Sequence, residues 1–210
     1  MVVFDDDFRK QLRKLFVWRR DVRSFRSDPL PGGALERLID IACLSPSVGL
    51  SQPWRFVVVE SAARRRAIVD DFKACNAEAL RDYTGERAAR YAALKLSGLE
   101  HAPGHLAVFT ERSCETGHGL GRATMPETLD YSVVAAIVAA WLAARADGIG
   151  IGWVSILNPD RVRDILDVPE SWKLIGYLCV GYPEAEFDSP ELERADWEHR
   201  RAAADVTVRR

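Results

Sequence analysis

A chain of 210 residues can bury roughly 70% of the surface its unfolded form exposes, so a single domain spanning 1–210 can build a core without staples. A formal net charge of -2, with 48% hydrophobic and 29% charged residues, is ordinary for a soluble globular protein and argues against the basic surface that nonspecific nucleic-acid binding needs. The four cysteines, at 43, 75, 114 and 179, form no CxxC pair, which points to reduced thiols rather than a disulfide framework.

The opening MVVFDDDFRKQLRKLF is acidic where a secretion signal is basic, and a cytoplasmic protein is expected. Phe8, Leu12, Leu15 and Phe16 keep helical spacing behind three aspartates that suit a helix N-terminus. Asp28-Pro29 and Pro31-Gly32-Gly33 punctuate a turn. Leu35, Leu38, Ile39 and Ala42 predict a second helix ending before Pro46, and 55–60 a strand. Ser61 is placed to cap a third helix with Ile68, Val69, Phe72 and Cys75 on one face. Residues of about 77–100 are helical in pattern but highly charged, as a cover or lid would be. A strand at 106–109 precedes the polar, Gly-rich loop SCETGHGLGRATMP at 113–126. The apolar run 133–144 is shorter than a bilayer requires and reads as a buried helix closed by Gly148. A strand over 151–157, a Pro-led helix over 159–166 and a strand over 174–180 follow, then a charged arm of about 183–210. Many helices around few strands make an α+β protein.

Three segments carry candidate chemistry. WRRDVRSFR at 18–26 gathers four arginines around Asp21. Arginine forks suit phosphate, whereas a cationic last helical turn explains only one or two of them and leaves the aspartate unexplained. SPSVGLSQPW at 45–54 is a rigid loop whose hydroxyls, amides and Gln52 can meet a polar ring system, or simply a helix-to-strand turn. GIGIGWVS at 148–155 holds GxGxG, but a helix precedes it and a strand follows, the reverse of a dinucleotide-binding turn. Its glycines suit close approach by a neighbour or by a flat ligand. Gly117 to Arg122 lacks the ending of a P-loop. His101 and His105 are separated by Pro103-Gly104, and Cys114 with His118 is half a site at most, so no metal is expected.

In this order, the three segments resemble the flavin-dependent nitroreductase-like superfamily, along nearly the whole chain. Asp21 stands where that superfamily usually has Ser or Thr, and Leu50 where it usually has Asn. With LKLSGLEHAPGHLAVF at 94–109, these departures are similar to a flavin-destroying branch. The resemblance implies a central, mainly antiparallel sheet flanked by helices, and a homodimer with two FMN sites at its interface and embracing C-terminal arms. It implies that reduced FMN is a substrate, cleaved with molecular oxygen to 5,6-dimethylbenzimidazole and erythrose 4-phosphate, with a separate NAD(P)H-dependent flavin reductase and no metal, nucleic acid or membrane. By the same resemblance Arg19, Arg20, Val22 and Arg23 bind the phosphate and ribityl chain, with Arg200 reaching over from the second subunit. Ser47, Gln52 and Pro53 meet the ring edge or ribityl, and Leu96 covers the flavin. Asp21, held ionised by its arginines, moves a proton, and Ser155 lies at the reactive edge. A conventional FMN-dependent NAD(P)H nitroreductase and a non-catalytic flavin-binding protein stay open beside this reading.

Overall fold

The computed structural model describes residues 2–93 and 97–210. Helix α1, Asp6–Trp18, starts where the Asp5 carboxylate accepts the Phe8 N–H at 2.8 Å. Helix α2 is Ala34–Ala42, and strand β1 is Trp54–Val58. Ser61 caps α3, Ala62–Leu80, by accepting from the Arg64 N–H. The charged 77–100 region continues into α4, Gly85–Ala93, and α5, Gly98–His101. Strand β2, Gly104–Glu111, precedes the Gly-rich loop and the long helix α6, Thr128–Ala146. Strand β3 is Gly150–Val154; Asn158 and Pro159 then open α7, Pro159–Leu166, with the Asn158 carboxamide accepting two amides. Strand β4 is Trp172–Gly181, and the arm holds one short helix, α8, Glu191–Arg194.

All four strands pair antiparallel in the order β1-β2-β4-β3. β2 and β4 are central, covered on both faces, which is why they read as continuous apolar runs rather than alternating ones. Against one face pack Leu38 and Ala42 of α2 with Ile137 and Trp141 of α6; against the other pack Ile68 of α3 and Val162 and Leu166 of α7. Strand β3 stops at Val154, short of the expected 157, because its ladder to β4 ends at Tyr177 and the chain leaves to reach the Asn158 cap.

Helix α6 corrects one expectation. At 19 residues it is long and apolar enough to cross a bilayer, so length does not decide its role. Packing does: eight of its residues, including Val133, Ile137, Trp141 and Ala144, are buried against the rest of the chain. Each large apolar side chain buried there contributes about 1.5–3 kcal/mol. On its outer side Tyr131, Val134 and Val138, at helical spacing, lie exposed. Helix α1 buries none of its residues, and Phe8, Leu12 and Phe16 are likewise exposed.

Candidate active site

Beyond Trp18 the chain leaves the helix and runs as an extra rung along β3. The Val22 N–H donates to the Ile151 carbonyl at 3.0 Å, and Asp21 bridges Ile151 in parallel. The Asp21 Oδ1 accepts the Trp153 N–H at 2.9 Å. This proximity requires glycine on the strand. A Cβ on Gly152 would lie 2.1 Å from the Val22 carbonyl oxygen, and one on Gly150 would lie 2.7 Å from the Val22 Cγ2. Of the two readings of the 148–155 glycines, close approach by a neighbour is what their backbones accommodate. Phe25, buried below this segment, and the Arg26 N–H bonded to the Tyr182 carbonyl fix its far end.

The cations are thereby crowded. The Arg19 guanidinium lies 4.8 Å from the centre of the Trp141 ring, and the Trp141 indole N–H donates to the Arg20 carbonyl. Arg23 is largely buried between the Asp21 and Glu191 carboxylates, 3.9 Å from each. The Arg20 guanidinium bonds the Val17 carbonyl, while its Nε is buried with no partner among the described residues. Arg200 of the arm stands near enough to repel both neighbours. Burial first, then Arg200 and Arg19, push the Arg20 pKa down; burial does the same to Arg19, which Asp21 partly offsets. Arg200 was expected to reach over from a second subunit, but here it lies beside its own chain's arginines, because α8 and the turn after it fold the arm back.

Asp21 corrects the sequence reading more sharply. Its arginines were expected to hold it ionised, and they do favour the anion, but burial outweighs them and its pKa is raised. Desolvation by the surrounding protein outweighs the Trp153 N–H and the charges of Arg23 and Arg19, all of which favour the anion. The side chain is 41% exposed, open on one side to the groove and crowded on the others. What results is an oriented carboxylate more basic than an ordinary one.

A cavity of about 330 Å³ opens beside this segment, lined among others by Arg20, Asp21, Arg23, Trp141, Glu191 and Arg194. Trp141, Glu191 and Arg194 were not picked out from sequence. The tryptophan sits inside an apolar helical run, and the arm's charges carry no spacing that marks two of them out.

Loop 47–53 is elsewhere. It leads into β1, at the opposite edge of the sheet from β3, and Ser47, Gln52 and Pro53 do not line that cavity. Its backbone is left-handed at Gly49 (φ +56°), Leu50 (φ +54°) and Gln52 (φ +46°), with the Gln52 N–H donating to the Ser47 hydroxyl at 3.0 Å. Leu50 is 70% exposed. Ser155 is exposed just past the end of β3, two residues beyond Trp153. Leu96 lies outside the described residues. His105 is buried and its Nδ1 lies 2.9 Å from the Tyr177 hydroxyl, a structural pairing.

The nitroreductase family profile matches residues 16–182. A 5,6-dimethylbenzimidazole synthase of Rhodospirillum rubrum is 55% identical over 95% of this chain and 94% of its own length. One of Rhodobacter capsulatus is 46% identical over 93% of this chain and 94% of its own. Among solved structures, iodotyrosine deiodinase bound to FMN and 3-iodo-L-tyrosine superposes with a TM-score of 0.67 at 23% identity, covering 84% of this chain and 91% of that one. At that identity the likeness is one of fold.

Proposed function

The chain belongs to the nitroreductase family, and from that premise we propose that it acts as a 5,6-dimethylbenzimidazole synthase, consuming reduced FMN and molecular oxygen and releasing 5,6-dimethylbenzimidazole and erythrose 4-phosphate. The observation that carries the reading is the Asp21 carboxylate, aimed by the Trp153 N–H and set among arginines, in a chain 55% identical to a synthase along nearly its whole length.

The residues fit the nucleotide. Three neighbouring cations, two of them with pKa values pushed down, and a buried Arg20 Nε without a partner among the described residues form a site short of negative charge. A phosphate dianion supplies that charge and accepts from several N–H groups at once. Arg19, Arg20 and Arg200 hold the phosphate; Val22 and Arg23 flank the ribityl chain. When bound, reduced flavin supplies both the electrons for oxygen and the ring that becomes the product. Asp21 takes a proton from a ribityl carbon. Its raised pKa makes it a better base, and its bond to Trp153 fixes which oxygen stays free. Ser155, just past Trp153, orients the reacting edge.

Ser47, Gln52 and Pro53 complete the site from a second copy of the chain, since their own copy holds them at the far edge of the sheet. The exposed apolar residues of α1 and the stripe Tyr131, Val134 and Val138 on α6 are the faces such a dimer would cover. Because FMN is consumed, a separate NAD(P)H-dependent flavin reductase, also cytoplasmic, provides it in reduced form.

The test is an aerobic incubation with FMN, NADH and a flavin reductase. Irreversible bleaching of the flavin with 5,6-dimethylbenzimidazole in the product mixture is expected. NADH loss onto a nitroaromatic with the flavin intact would make this a conventional nitroreductase instead, and neither change would leave a flavin-binding protein.

A further inference from the structure

The Gly-rich loop at 113–122 has no part in the chemistry above, yet it packs directly on loop 47–53. A Cβ on Gly117 would lie 2.4 Å from the Gly49 carbonyl oxygen, and one on Gly121 would lie 2.9 Å from the Val48 Cγ2. In return, a Cβ on Gly49 would lie 2.7 Å from the Leu120 carbonyl oxygen. Glycines are thus required on both sides of one contact. The buried Cys114 thiol donates to the Ser51 carbonyl at 3.2 Å, and Arg122 closes the Gly-rich loop on itself by donating to the Cys114 carbonyl. From beneath, the buried Ser132 hydroxyl of α6 accepts the Val48 N–H at 3.0 Å while donating to the Thr128 carbonyl at 2.7 Å.

Two non-glycine residues of the clamped loop, Leu50 and Gln52, are left-handed, a conformation their side chains disfavour. Such a backbone persists only where its surroundings impose it. We propose that loop 113–122 and Ser132 form a clamp that presets loop 47–53 in its flavin-contacting shape, so that Ser47 and Gln52 meet the ligand without first being ordered. The clamp residues are positioning residues. Presetting lowers the ordering cost of binding and so acts on affinity rather than on the chemical step. The proposal rests on the reading that loop 47–53 contacts flavin.

Two glycines give a matched comparison. Gly117 (φ +81°) and Gly119 (φ +77°) are equally left-handed, but a Cβ on Gly119 meets nothing within 4 Å. Gly117→Ala and Gly119→Ala therefore carry the same backbone strain, and only the first pushes on Gly49. Flavin-fluorescence titration with FMN should give a Kd about tenfold weaker for Gly117→Ala and within about twofold of wild type for Gly119→Ala. The KM for reduced FMN should rise in the same ratio, with kcat at saturation held. Amide exchange of Val48 and Gln52 in the ligand-free protein should quicken in Gly117→Ala alone. Ser132→Ala should show the same pattern more weakly and Ser132→Thr should restore it, which keeps the test in hand if Gly117→Ala does not fold. Equal Kd and equal exchange in the two glycine variants would overturn the clamp. Unchanged FMN affinity in Gln52→Ala together with Ser47→Ala would instead overturn the reading beneath it, while the exchange data still judge the clamp itself.

Discussion

Segment 18–26 and loop 47–53 are the two regions proposed to meet flavin, yet the first is bonded along a strand and the second is wedged between a helix and another loop. Segment 18–26 takes its shape from backbone hydrogen bonds to β3, with Gly150 and Gly152 letting it come close. Loop 47–53 takes its shape from Ser132, Cys114 and the glycines of 113–122, and holds left-handed residues. Sheet bonding fixes a charge, Asp21, against one backbone amide, whereas clamping fixes a surface. Chemistry should therefore fail with Asp21, whereas loss of the clamped loop should cost affinity alone.

The largest effect expected is on chemistry. Asp21→Asn keeps the size of the side chain and an oxygen to accept the Trp153 N–H, but removes the base. Product formation should fall by about a thousandfold while the FMN Kd changes by less than about threefold, checked by single-turnover product analysis beside flavin titration. Next comes the strand contact. Gly152→Ala places a methyl group against the Val22 carbonyl and should cost roughly 3 kcal/mol, seen as a drop in Tm of about 10 °C, with flavin binding lost alongside. Arg20→Ala should weaken FMN binding roughly ten- to a hundredfold, since a charge-assisted bond is lost. Loss of this size in kcat rather than in Kd would place Arg20 beside Asp21 in the chemistry rather than in binding.

The smallest effect concerns pH. Burial raises the Asp21 pKa above its unfolded value of 3.8, so the fold disfavours its anion. That cost is absent below 3.8, grows as pH rises from there, and is complete once pH exceeds the folded pKa. Ligand-free Asp21→Asn should therefore melt slightly above wild type at pH 7 and level with it near pH 4, by scanning calorimetry. The acid limb of activity should lie above that of a free aspartate for the same reason. His105 acts oppositely: burial lowers its pKa to about 4, so the unfolded chain takes up its proton first and stability falls as pH drops from 6.5 toward 4.

The arginine cluster, the 45–54 loop and the order of elements were legible because each depends on local residue type: helical spacing, capping by Ser61, Pro at the start of α7. The same holds for the rejection of a dinucleotide fold, which followed from element order alone. What escaped sequence were sums over space. Whether Asp21 is protonated more readily than a free carboxylate depends on how much protein surrounds it, and counting nearby arginines leaves out that larger effect. Trp141 beneath Arg19 is one residue of an apolar helix until α1 crosses it. That Arg200 lies beside its own chain's Arg19 and Arg20 was not legible either, because nothing in its neighbours tells where a charged arm turns back.

A crystal structure of the protein with FMN tests the split site most directly. Arg19, Arg20 and Arg23 of one protomer and Ser47 to Pro53 of its partner should touch the same flavin, with the Asp21 carboxylate facing the ribityl chain. A flavin contacted by the two segments of a single protomer, or one that leaves Asp21 out of reach, would contradict the account.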